Sequence, residues 1–349
     1  MNCNLHELEG ITMGGEYSAN IIAEEFQEHI KKAYRYDKIM RAAPVIVLIV
    51  IITVLSIFAP GFFSTKNVLV LLTQMSIPLI VASGITFIIL IGGIDLSVDG
   101  VMGLTGAMAG LLVLNDKNSF DLGIIGIVIA VLIAGLCGMI TGVIFVKGKI
   151  PSFMVSFAMA SVTYGLAMLS YGALAPMISD PTVRAIALNK IYGLPIFFYI
   201  SIALFIIAFV VQEKTAFGKY IYAIGENESL AKIAGINVDL VKIKVFIWGS
   251  LFIGVAGVCG AAQIGRGDVS VGLGQVFPAL AAVVVGGTSL SGGKGGVLRT
   301  LVGVMIITIL NNGLVLIGAN PYIKNAIMGT ILIIAVILTV TRNNKQVSK

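Results

Sequence analysis

Apolar runs of roughly 17 to 25 residues recur from Ala42 onward, each long enough to cross the ~30 Å hydrocarbon layer of a bilayer. No water is available there to satisfy backbone N–H and C=O groups, so a spanning segment must be a helix or part of a closed barrel. These runs are continuously apolar rather than alternating, which points to helices. With 58% hydrophobic and only 11% charged residues among 349, the chain has too little polar surface for a soluble globule. The expectation is an all-α, polytopic membrane protein.

Ten spans are expected, at about 43–60, 68–91, 97–114, 122–146, 151–171, 195–211, 245–264, 277–290, 298–318 and 323–341. They form a permease-sized domain over 42–342, between an arm (1–41) and a short tail (343–349). In the arm, Ile22, Phe26, Ile30 and Tyr34 recur every four residues beside a Glu28–Lys32 pair, the pattern of an amphipathic helix on a membrane surface. About forty mostly polar residues precede the first run, so no cleavable leader is expected. Placing both termini in the cytoplasm puts 17 of the 23 Lys and Arg residues inside and 6 outside, as the positive-inside rule requires. The same rule accounts for the net charge of +6 without invoking nucleic acid.

Chemical machinery is sparse. Both histidines, His6 and His29, lie in the arm; Cys3, Cys137 and Cys259 are isolated; and the span interiors are expected to carry no Asp, Glu or His. No catalytic residue, metal ligand set or cofactor site is expected. The glycine-rich stretch GGTSLSGGKGG (286–296) has Thr288 where a phosphate loop needs glycine and Gly295 where it needs Ser or Thr. It reads instead as a turn that breaks the membrane helices. In ILIGGIDLSVDG (89–100), Asp95 is the expected N-cap of the third span, with Ser97 as the alternative cap and a polar gate lining as the second reading. Ser83, Thr86, Gln263, Asn311 and Asn312 are candidates either for lining a path or for hydrogen bonds between helices.

One stretch, residues 212–244, is written in a soluble alphabet between two apolar runs. Asn227 can cap a short helix, ESLAKIA, whose Leu230, Ile233 and Ala234 share a face and which Gly235 ends; Asn237 or Asp239 then starts a second helix leading into the seventh span. An idle loop needs neither two caps nor an apolar face, so this knuckle is expected to dock another protein.

Together GGIDLS, YAIGENESLAKIAGINV, AAVVVGGTSLSGGKGG and ILNNGLVLIG resemble the ribose-type permease family of bacterial ABC sugar importers, over nearly the whole chain from about residue 42. The resemblance implies a ten-helix inner-membrane subunit with no cofactor. It would pair with a second permease subunit, as a homodimer, bind cytoplasmic ATP-hydrolysing subunits through its long loop and receive sugar from an extracytoplasmic binding protein. Gly225, Asn227, Ala231, Gly235, Ile236, Asn237 and Val238 match the family's coupling loop; Gly92, Gly93, Asp95, Leu96 and Ser97 match its second-span motif. Two departures stand out: Asp99 replaces a usual glycine, and Val276 and Pro278 stand where an acidic pair is common. The implied function is transport of ribose or a related simple sugar driven by ATP; the alternative is an ion-coupled secondary transporter of a small polar solute.

Overall fold

The computed structural model describes residues 42–320 and scattered positions between 322 and 333. The expected arm helix, most of the tenth span and the tail lie outside the described residues. Contacts divide the chain into two units between Ile46 and Val47, and the helical bundle belongs to the second.

The described residues are helical apart from connections and one hairpin. After α1 (Ala42–Phe58) come α2 (Thr65–Leu90), α3 (Val98–Leu112), α4 (Gly123–Gly148), α5 (Ser152–Tyr171) and α6 (Pro181–Leu188). A hairpin of β1 (Lys190–Ile191) and β2 (Leu194–Pro195) leads to α7 (Ile196–Lys214), α8 (Ala216–Glu226), α9 (Glu228–Ile233), α10 (Val238–Ile264), α11 (Val276–Val285) and α12 (Val297–Leu316). Six of these, α2, α4, α5, α7, α10 and α12, are long and apolar enough to cross a membrane by themselves. The core forms where α10 packs against α2, α3 and α4. There Leu79, Ile85, Phe87, Ile88, Phe246 and Ile253 are fully buried.

The third and eighth expected spans are where the sequence reading needs correction. α3 has 15 residues and α11 only 10, against the roughly 20 needed to span. Segments outside the α-helices supply the missing depth: irregular chain before α3, and a short stretch followed by the 3₁₀ turn Val269–Gly272 before α11. After the α2 turn, residues 93–97 climb beside α5: Ile94 N donates to Ser152 Oγ (3.0 Å) and Leu96 N to Ser156 Oγ (2.9 Å), and Gly100 abuts Ala160 and Thr163. α3 therefore begins about 12 Å along α5, at 1.5 Å per residue. From the opposite end, residues 267–272 descend beside α3, with Gly267 against Gly110 and Val269 against Gly103, so α11 also starts inside the bundle. The eighth span, expected at 277–290, ends at Val285 because Gly286 and the positive-φ Gly287 turn the chain there.

Close approach of backbones holds the bundle, since hydrocarbon exerts no hydrophobic pressure between helices. Gly138 on α4 lies against Ser250 and the Phe246 carbonyl of α10, with no room for a Cβ. Gly138→Val should overpack this seam at a cost of about 1–3 kcal/mol, seen as a lower melting temperature in detergent. Gly165→Val on α5, where nothing lies within 4 Å, should leave the melting temperature unchanged. Equal melting of the two variants would contradict the packing described.

Candidate coupling surface and solute path

The knuckle is built by its caps. Asn227 Oδ1 accepts from Leu230 N and starts α9, and Asn237 Oδ1 accepts from Leu240 N and starts α10, each at 3.0 Å. Between them Gly235 takes φ +82°, a conformation that side chains resist. Ile236 N closes the turn on Ala231 O (3.1 Å), and Ala231 is buried beneath it. The apolar residues that remain face outward: Leu230 is 62% and Ile233 82% exposed. Beside the elbow lies a cavity of about 450 Å³ bordered by Phe217, Tyr220, Ile236, Leu240 and Lys244.

An unforeseen helix, α8, ties this knuckle to the bundle. Its Phe217 lies near Phe87 of α2 and Trp248 of α10, at ring-centroid distances of 6.3 and 6.5 Å. Tyr222 donates to Gly295 O (2.9 Å); burial pushes its phenol up to about 12, so it stays a donor at neutral pH. Gly225 is not part of the exposed face. It seats α8 directly on Leu90 O, at the end of α2, and on Gly293, whose N–H donates to the same carbonyl (2.9 Å). Gln212 Oε1 accepts from Val297 N (2.7 Å) and so caps α12 from α7. GGIDLS and GGTSLS meet at this end too, with Gly92 against Ser291.

The polar candidates divide. Asp95 is fully buried but does not cap α3; its Oδ1 accepts from Ser97 N (2.8 Å) and Ser97 Oγ (2.6 Å), closing a local turn. The expected N-cap is corrected on this geometry: the carboxyl turns back onto Ser97, which occupies the N-cap position without a side-chain cap of its own. Thr86 pairs with Thr300 across α2 and α12 (2.7 Å), and Asn312 exchanges two 3.1 Å hydrogen bonds with Asn67. Ser83 is fully buried. None of these five residues borders the two cavities that lie toward the end opposite the knuckle. Gln263 borders one and Asn311 the other, and Gln74 and Pro78 are common to both.

Sequence reading missed Gln74, Gln275 and the capping role of Asp99. An amide at position 74, four residues before a proline inside an apolar run, was the available signal for the first. The role of Asp99 has no such local signal. Its Oδ1 accepts from Gln275 N (3.0 Å) and Val276 N (2.8 Å) and its Oδ2 from Gly274 N (2.9 Å), so it caps α11 from α3. Asp99, the second residue of α3, thus meets the start of α11, where no cap was expected. The two departures from the family pattern, Asp99 and Val276, touch.

Glu228 joins α9 to α10 through Lys242 (2.7 Å) and meets Lys232 within α9 (2.9 Å). Lys242, 13% exposed, is the stronger partner, since solvent screens Lys232. Hydrogen bonds from Lys242 and then Lys232 hold the Glu228 carboxyl below the usual glutamate range. Its folded value is lowered, so its stabilising contribution is present above the ordinary glutamate pKa of about 4.3 and is lost as pH falls through the lowered value. Amide-exchange protection of α9, corrected for intrinsic rates, should therefore be level from neutral pH down to about 5 and fall below about 4. Glu228→Gln should remove that acid-side fall; an equal fall in the variant would show that Glu228 does not fasten α9.

Known proteins resemble this chain across the whole bundle. The family model described as "Branched-chain amino acid transport system / permease component" matches residues 67–336. A ribose import permease of Haemophilus influenzae is 37% identical over 298 residues, covering 84% of this chain and 90% of that protein. One from Bacillus subtilis is 32% identical over 90% of this chain and 97% of its own length. The galactose/methyl galactoside import permease of Escherichia coli is 33% identical over 84% and 92%. No solved structure matches the chain. A family match across most of the helical bundle and full-length relatives above 30% identity together establish that this chain belongs to the ribose-type permease family of ABC importers.

Proposed function

We propose that this chain is the membrane-spanning subunit of an ATP-driven importer of ribose or a related simple sugar, and that α9 with the start of α10 is where an ATP-hydrolysing partner pushes. The carrying observation is the knuckle: two capped helices around a positive-φ glycine, with Leu230 and Ile233 outward and an aromatic and backbone seat inward. A linked conformational change needs contacts that differ between two states. The seat of Gly225 on Leu90 and Gly293 gives a displacement of α8 a direct route to the ends of α2 and α12. In this reading ten spans cross the bacterial inner membrane, both termini and the knuckle face the cytoplasm, a second identical subunit completes the permease, and an extracytoplasmic binding protein delivers the sugar. Ribose is the cargo named for the relatives from H. influenzae and B. subtilis, and galactose for one from E. coli.

The alternative, an ion-coupled carrier, would rest on a carboxylate within the bundle. Asp95 and Asp99 are such groups; Asp95 turns its Oδ1 onto Ser97, and three backbone N–H groups already occupy the two oxygens of Asp99. That is the geometry of a structural cap rather than of an ion ligand awaiting cargo.

Uptake by the assembled complex should persist when ion gradients are collapsed and stop when ATP is withdrawn; the reverse pattern would replace an importer with a carrier. Leu230→Asp combined with Ile233→Asp should lower ATP-driven uptake by at least about tenfold, the effect of about 1.4 kcal/mol at a docking face. Gly235→Pro should do the same, because proline fixes φ near −65° where the elbow needs +82°. Wild-type uptake by these variants, with normal membrane insertion, would remove the knuckle from the mechanism.

A further inference from the structure

Two cavities near Gln74 are bordered by side-chain amides that hold no hydrogen bond within the described residues. The larger, about 330 Å³, is bordered by Gln74, Gln263, Gln275 and Ser270. The smaller, about 210 Å³, lies across Gln74 and Pro78 and adds Asn311 and Thr308. Whereas Asn67, Asn312, Thr86 and Gln212 are all engaged within the protein, the carboxamides of Gln74, Gln263, Gln275 and Asn311 hold no partner among the described residues. None of the residues bordering either cavity is charged. Gln74 and Gln263 are exposed and Gln275 and Asn311 partly buried, so all four amides are accessible to a ligand in an open cavity. They converge from α2, α10, α12 and the start of α11.

We propose that this chamber is a selectivity site of the permease itself for a neutral, polyhydroxylated solute of monosaccharide size. The inference rests on the transport reading above and adds where, and by what chemistry, the membrane subunit reads its cargo. Each carboxamide offers two donor hydrogens and a carbonyl acceptor, and each sugar hydroxyl is both donor and acceptor, so an uncharged amide set matches a ring of hydroxyls. The larger cavity falls at the lower end of the roughly 300–1,000 Å³ typical of small-molecule sites, which suits a single sugar ring.

A zwitterionic amino acid fits poorly. It would need a cationic group or an open helix N-terminus for its carboxylate, and the nearest such terminus, that of α11, is already filled by Asp99. The same three hydrogen bonds fix the backbone of Gln275 at the cavity wall. Asp99 is thus a positioning residue here, neutralising α11 and holding one amide in place.

The test uses the complete complex, with its ATP-hydrolysing and binding-protein partners, in proteoliposomes, and reads solute uptake per ATP hydrolysed. This ratio is independent of how much complex assembles. The probes are a panel of neutral pentoses and hexoses and one branched-chain amino acid. Gln74→Leu and Gln263→Leu should each lower sugar uptake per ATP by about tenfold, the effect of losing about 1.4 kcal/mol of hydrogen bonding to the cargo. Gln263→Asn should recover part of the loss, and Asp99→Asn should lower the ratio several-fold. Wild-type ratios in both leucine variants, or an equal loss in Gln263→Asn and Gln263→Leu, would overturn the site. A wild-type complex that carried the amino acid and none of the sugars would overturn the sugar reading itself, a result distinguishable from failure of the chamber alone.

Discussion

Every backbone N–H and C=O inside a bilayer needs a protein partner, and this chain twice interrupts its helices where that demand is strictest. The stretch before α3 meets it with the hydroxyls of Ser152 and Ser156, supplied by α5. The start of α11 meets it with the carboxylate of Asp99, supplied by α3. Three N–H groups at a helix N-terminus converge on that side chain, the place where backbone donors most need an acceptor. The interruptions are thereby tolerated, and they place the first residues of α11 and the preceding Gln275 beside the polar chamber.

The opposite end of the bundle follows a different rule. There the chain brings together three glycine-containing segments, around Gly92, Gly225 and Gly293, so closely that Leu90 O and neighbouring backbone leave no room for side chains at Gly225, Gly292 and Gly293. Interfaces packed this tightly transmit displacement instead of absorbing it. With Phe217, Phe87 and Trp248 in mutual contact beside them, α8 is coupled to α2 and α10 as well as to the α11–α12 turn. The exposed knuckle and the amide chamber are thus linked by α2 and α12, which reach from one to the other.

Much of the knuckle was legible in the sequence. Asn227, Gly235 and Asn237 act locally, through caps and a positive-φ elbow, and local chemistry is what a sequence displays. The glycine-rich break after Val285 is of the same kind. The misreadings concern partners distant in sequence. Asp95 looked like a cap and instead closes a turn on Ser97, while Asp99, 177 residues from Val276, is the cap that matters. Helix α8 escaped notice because its burial against α2 exists only once the chain has folded.

Apolar length, the charge asymmetry of the loops and the punctuation of residues 212–244 determined by themselves that this is a polytopic helical membrane protein with a capped, two-helix insert. These properties depend on how each segment meets its solvent. Which amides stay uncommitted, which carboxylate caps which helix, and which glycines touch were decided only by tertiary structure. A hydrogen bond or close contact between residues far apart in the chain leaves no periodic trace in the sequence that makes it.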